Sequence, residues 1–251
     1  MLRSLCVVAA AWGLAACGGT VEEAPSGSPP APLVTVDPAS AAAVSGKVLF
    51  VGQAPPRKPI DMDANPACAR MHAQPALTEE VIAGPDGGLR NVFVYVKAGL
   101  PQGSWPVPAE PVMLDQKGCI YTPHVLGVMT GQDLLILNSD TTNHNIHSMP
   151  RANRGWNESQ PPKGDPKIKQ FPRLEIMVPF KCNVHPWMKA YAGVVGHPFF
   201  AVSGDDGSFA IKGLPPGAYT LEAWHERYGA QELRISIGPG ENKTAEFLFR
   251  G

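Results

Sequence analysis

The nine residues KCNVHPWMK, Lys181 to Lys189, place a thiol, an imidazole and a thioether at intervals of three: Cys182, His185 and Met188. A thiolate with two imidazoles and a weak axial thioether is the donor set of a mononuclear copper centre that exchanges single electrons. The loop supplies only one of those imidazoles. A second must come from elsewhere, and the candidate is the stretch NHNIH, Asn143 to His147, just after the apolar run of GQDLLILNSD, which offers His144 and His147. His147, three residues beyond His144, reads as a neighbour of the set or as its alternative member.

Other chemistries fit these residues less well. Structural zinc favours several thiolates and seldom takes Met, and haem attachment needs C-x-x-C-H. A binuclear copper site needs two cysteines in the loop. A Cys–His nucleophile has no use for Met188 or for a distant HNIH. His124, His197 and His225 stand apart from the pattern and read as hydrogen-bonded structural or surface imidazoles.

Donors from two distant segments must be held by a stiff framework, and the chain carries the pattern of one. Short β-type runs such as NVFVYV (91–96) and LRISI (233–237) alternate apolar residues and are separated by Gly/Pro turns. With 26 Gly and 27 Pro in 251 residues, long helices are disfavoured. The expectation is an all-β protein of two sandwiches. Residues 149–173, polar and interrupted by proline, read as a long loop within one of them. A net charge of −1 with 17% charged residues gives no field that would recruit nucleic acid.

The start, MLRSLCVVAAAWGLAACGG, has the layout of a secretory signal. Leu14-Ala-Ala-Cys17 resembles the lipoprotein signal of bacteria. That resemblance implies cleavage before Cys17, a lipid on its sulfur and anchoring at the periplasmic face of the outer membrane. Residues 18–44, rich in Pro, Ser, Ala and Gly, then read as a tether. Of the five cysteines, Cys6 leaves with the signal and Cys17 takes the lipid. In an oxidising compartment Cys68 and Cys119 pair as a disulfide, and Cys182 is left as the odd thiol.

The two histidine- and cysteine-bearing stretches together resemble the cupredoxin family, most of all its amicyanin and plastocyanin branch. The resemblance covers about residues 105–197. It implies a Greek-key sandwich holding one type 1 copper on His144, Cys182, His185 and Met188, with Asn145 tying the two ligand loops together. It further implies electron transfer rather than substrate turnover, with redox proteins as partners. His185, flanked by Pro186 and Trp187, is expected to expose an imidazole edge as their docking point. The strand before the cysteine departs from the family pattern, because Pro179 requires it to be an edge strand or kinked.

The run GDDGSFAIKGLPPGAYTL, residues 204–221, resembles the carboxypeptidase regulatory-like, transthyretin-like family. That family implies a smaller β-sandwich with no catalytic role. The upstream strands SGKVLF and NVFVYV are needed to complete it, so residues 45–103 and 198–251 are expected to form one discontinuous sandwich, with the copper unit, 104–197, inserted. The Cys68–Cys119 bridge would then staple the two units.

Overall fold

The computed structural model describes residues 32–251. The secretory signal, the lipid site at Cys17 and the tether up to residue 31 lie outside the described residues. In chain order the elements are β1 (Ala42–Val51), a single helical turn α1 (Pro66–Ala69), β2 (Phe93–Ala98), β3 (Val112–Gln116), β4 (Tyr121–Thr122), β5 (Val125–Met129), β6 (Leu134–Asn138) and β7 (His144–Ser148). There follow β8 (Trp156–Gln160), β9 (Lys167–Lys169), β10 (Glu175–Lys181), β11 (Lys189–Val195), β12 (Phe200–Val202), β13 (Ser208–Leu214), β14 (Gly217–His225), β15 (Gly229–Ile237) and β16 (Asn242–Arg250). The protein is all-β.

Two sheets, ordered β13-β1-β16 and β12-β2-β14-β15, enclose one core that includes Val44, Val48, Leu89, Val94, Phe209, Leu221 and Phe247. Strand β2 pairs with β12 and β14, so its neighbours come from the far end of the chain. Two further sheets, β5-β11-β10-β7-β8 and β4-β3-β6-β9, enclose a second core around Leu114, Ile136, Ile146, Val178 and Phe180. Alternation lets β2 serve both bodies. Val94 and Val96 enter the first core, while Phe93 and Tyr95 face Val125, Met177 and Val195 of the neighbouring sheet.

A pair of glycines makes that junction close. Gly127 of β5 and Gly193 of β11 are directly opposite each other. A Cβ on either would come within 2.8 Å and 2.4 Å, respectively, of the Phe93 ring. The ring therefore occupies the space that two side chains would have filled.

Two sequence expectations are corrected by the strands. Strand β1 starts at Ala42, inside the stretch read as tether (18–44), and Val34 and Val36 pack against the first core. The small residues of SAAAV hid a strand whose Ala42 and Val44 are buried. The segment 149–173 is no continuous loop: β8 pairs along β7, and β9 pairs along β6. Both are short sheet-edge strands with mostly polar, solvent-facing side chains, so they carry little apolar period. Of the two expectations for β10, edge or kinked, the strand takes the second: it is interior and irregular before Pro179. It accommodates Pro179 through a register slip between Glu175 and Val178, with Met177 at φ +62°, and because β7 ends at Ser148 before reaching Pro179.

His225, buried near Tyr228 and Phe249, has its pKa pushed down from 6.5 to about 4 by burial. The folded state thus keeps the ring neutral where the unfolded chain would protonate it. Its contribution is complete above the ordinary value near 6.5 and is lost as pH falls toward about 4, roughly 3 kcal/mol in all. Urea unfolding of metal-free protein at pH 7 and pH 4.5 should show this loss, and His225→Gln should flatten the pH dependence. Equal slopes in the two proteins would refute the assignment.

Candidate metal centre

His144 opens β7, and its position is set by the preceding turn. The Asn138 side-chain amide donates to the carbonyls of Thr142 (3.0 Å), Gln160 (3.0 Å) and Pro161 (2.8 Å), while its oxygen accepts from Asp140 N–H (3.1 Å). Strand alternation then turns His144, Ile146 and Ser148 inward. Cys182 follows the last residue of β10, and a tight turn ends at Met188. Met188 N–H donates to His185 O (3.0 Å), and Cys182 N–H donates to Met188 O (3.3 Å).

These two segments bring His144, Cys182 and His185 together, with donor atoms all within 4.8 Å of one another. The two Nδ1 atoms are 3.0 Å apart, and Cys182 Sγ lies 3.7 Å from His185 Nδ1. Metal–nitrogen and metal–sulfur bonds of about 2.0 and 2.3 Å place such donors about 3.3 to 3.7 Å apart, so the spacing fits a small ion with little adjustment. Met188 is buried in the same core group as Cys182. The four side chains named from sequence are each no more than 2% exposed.

The electrostatics suit an ion at the same place. Burial disfavours the charged form of His144, but the Asp140 carboxylate and the Cys182 sulfur outweigh it and hold its pKa above the usual value. Burial likewise opposes ionisation of Cys182. His144 and backbone groups of Asn145, His185 and Val184 more than offset this and lower the thiol pKa. His185 goes the other way, pushed down to about 4 by burial and by its neighbour His144. A protonated His144 donating to a neutral His185 satisfies these directions, and a cation bound by the two Nδ1 atoms would take the place of the shared proton.

Asp140 had no role in the sequence reading, although it stands four residues before His144 in the same turn. Its Oδ2 lies 2.8 Å from His144 Nε2 and accepts from Cys119 N–H (2.7 Å), and its Oδ1 accepts from Gly118 N–H (2.6 Å). Burial alone would raise its pKa, but these hydrogen bonds lower it. Once a cation displaces the proton shared by the two Nδ1 atoms, the carboxylate would keep the remaining proton on Nε2 and leave the Nδ1 lone pair of His144 directed at the cluster. Asp140→Asn should weaken copper binding by about 10- to 100-fold in a chelator competition. An unchanged affinity would show that the carboxylate does not orient the ligand.

Tyr121 was also missed. Its hydroxyl donates to Asn145 O (2.6 Å) and lies 3.1 Å from Lys181 O, joining the strands that bear His144 and Cys182. Asn145 does link the two segments: its Oδ1 accepts from Asn183 N–H (3.1 Å), and its amide donates to Glu158 O (3.2 Å). His147 falls outside the cluster. An odd number of residues from His144, it faces the other side of β7, where Nδ1 is 3.2 Å from Asn183 Oδ1.

His185 is not the exposed edge that the sequence suggested. The disulfide Cys68–Cys119 forms and places Cys68 Sγ 3.3 Å from His185 Nε2. The Trp187 ring lies 5.2 Å from the His185 ring, and its Nε1–H donates to Cys119 O (2.9 Å). The covering strap, residues 57–78, comes from between β1 and β2 and closes on itself through Ile60 N–H to Ala76 O (2.8 Å) and Thr78 N–H to Lys58 O (2.9 Å). Among the remaining imidazoles, His124 meets Glu226, His197 Nε2 meets Val96 O (2.9 Å) and His225 Nδ1 accepts from Arg227 N–H (3.1 Å). None of them joins a three-residue ligand group among the described residues.

No family model matches the chain, and no curated protein matches it. Solved structures do show partial likeness. A Cu-containing nitrite reductase from Thermus scotoductus SA-01 matches at 18% identity and a TM-score of 0.32, over 39% of this chain and 25% of that one. A purple cupredoxin from Nitrosopumilus maritimus matches at 20% identity and 0.29, over 33% of this chain and 98% of its own. The M98A mutant of amicyanin matches at 19% identity and 0.30, over 35% and 85%. This chain thus spans a quarter of the nitrite reductase's length.

Proposed function

We propose that this protein is a type 1 copper protein that carries single electrons between partner proteins in the periplasm. The observation that carries the proposal is the meeting of His144 Nδ1, His185 Nδ1 and Cys182 Sγ in one buried cluster built by two segments far apart in sequence. Bound copper supplies a reversible one-electron change between Cu(I) and Cu(II). The chain's own part is to hold mixed nitrogen and sulfur donors on strands and a tight turn, so that neither oxidation state demands much rearrangement. Asp140 fixes one imidazole, and the disulfide sulfur beside Nε2 of His185 does the same for the other. Burial of His144, Cys182, His185 and Met188 would limit the access of water and substrate to a bound ion, which supports electron transfer over turnover. The signal-like start supports export, and the Leu14–Cys17 stretch supports a lipid anchor.

A copper-delivery protein is the competing reading. Delivery requires a donor that can reach a partner's ligands, and the near-complete burial of His144, Cys182 and His185 favours retention. Visible and paramagnetic-resonance spectra of copper-loaded protein separate the two. An intense thiolate-to-copper band that bleaches on reduction and returns on oxidation is expected. Tight Cu(I) binding with a colourless or unstable Cu(II) form would favour delivery, and indifference to copper would leave a structural module.

A further inference from the structure

Ligand-type side chains form overlapping groups beneath the Cys182 turn. One of these groups, Cys68, Cys119 and His185, has all its donor atoms within 4.8 Å and all three residues buried. His185 belongs to this group and to the one described above. Its Nδ1 faces His144 Nδ1 at 3.0 Å and Cys182 Sγ at 3.7 Å, while its Nε2 faces Cys68 Sγ at 3.3 Å. One imidazole thus has sulfur within reach of both of its nitrogens. We propose that the Cys68–Cys119 pair, once reduced to the dithiol, forms with His185 Nε2 a second site, selective for a soft monovalent cation such as Cu(I).

The donors are held in place by more than the bond between them. Cys119 sits in a turn whose two N–H groups, Gly118 and Cys119, are bound by Asp140 at 2.6 and 2.7 Å. Its carbonyl accepts from Trp187 Nε1–H at 2.9 Å. Cys68 lies on α1 within the strap, which is closed by Ile60 to Ala76 and by Arg57 Nε–H to Thr78 O at 2.8 Å. His72 Nε2, also on the strap, lies 2.7 Å from Gly118 O and ties the strap to the turn. Breaking the disulfide therefore leaves two sulfurs and an imidazole nitrogen facing one another across a short gap.

The chemistry balances with a dithiol reductant. That reductant gives two electrons and two protons and becomes a disulfide, while the Cys68–Cys119 bond breaks and two S–H bonds form. Binding Cu(I) releases both thiol protons to solvent and leaves two thiolates and one imidazole nitrogen, a soft donor set. Nε2 must then present its lone pair, so the ring proton moves to Nδ1 when this site alone is filled. With both sites filled, the ring proton is also released to solvent and an imidazolate is left between them. The disulfide blocks the second site and the dithiol opens it.

The test counts copper on the intact chain in both redox states. Protein is reduced anaerobically with dithiothreitol, desalted and titrated with Cu(I) against bicinchoninate; bound copper is read by elemental analysis and the thiols by alkylation. Reduction is expected to add one tightly held Cu(I) that protects Cys68 and Cys119 from alkylation. The increment should vanish in Cys68→Ser and persist in Cys182→Ser. An equal count in the two redox states, or loss of the β-sheet circular dichroism on reduction, would overturn the proposal. Because the readout is a difference, the two sites fail separately: no copper on the oxidised chain refutes the Cys182 centre, and no increment refutes this one.

Discussion

Cys182→Ser should abolish the intense visible absorption of copper-loaded protein and weaken copper binding by orders of magnitude, while leaving the fold in place. The colour requires a thiolate donor, and a serine hydroxyl neither ionises near neutral pH nor offers a soft atom. The environment that favours the thiolate was built for negative charge, with His144 and backbone groups of Asn145, His185 and Val184 directed at the sulfur. An uncharged hydroxyl forfeits most of that. The fold should survive, because the hydroxyl can still accept those backbone hydrogen bonds and because Val178, Phe180 and Ile146 carry the surrounding core. A change of about 1 kcal/mol in metal-free stability is expected by urea unfolding. Persistence of the visible band in the variant would mean that copper sits elsewhere.

Removing the covalent cross-link gives the largest expected loss of stability. Cys68 and Cys119 are separated by 51 positions, and closing a loop of that length in the unfolded chain is worth about 4 kcal/mol. The double variant Cys68→Ala with Cys119→Ala should therefore lower the unfolding free energy of metal-free protein by about 4 kcal/mol. The hydrogen bonds that close the strap and tie His72 to Gly118 should nevertheless keep it over the His185 ring, which is 2% exposed. Denaturant titration reads the first effect, and the rate of copper removal by an added chelator reads the second. A loss below about 1 kcal/mol would refute the stabilising role of the cross-link, and much faster removal would show that the strap does not stay closed without it.

How much of this was legible in the sequence depended on whether the signal was local. Residue type and spacing singled out Cys182, His185, Met188 and the stretch NHNIH, because ligand chemistry restricts which side chains can appear together, and the family resemblance picked His144 from that stretch. Alternation in NVFVYV announced a strand. It could not announce that both faces would be buried, since one face belongs to a sheet contributed by residues 125–129 and 189–195. Asp140 carried no signal of its own; a carboxylate four residues before a histidine acquires meaning only once the Asn138 turn bends the chain back. The burial of His185 was illegible for a similar reason. Its cover arrives from a strap more than a hundred residues away, with no periodicity to mark it as structured. Strands β8 and β9 were hidden because edge pairing relies on backbone hydrogen bonds and makes few demands on side chains.

The ring of Phe93 lodged against Gly127 and Gly193 has a practical consequence for anyone who would isolate the part that carries the candidate metal centre. A fragment cut to residues 104–197 would carry an empty slot where that ring had been, bordered by Val125, Met177 and Val195. Such a bare, oily furrow invites a second copy to fill it. Self-association of the excised piece should therefore be anticipated before any spectrum of it is compared with the parent.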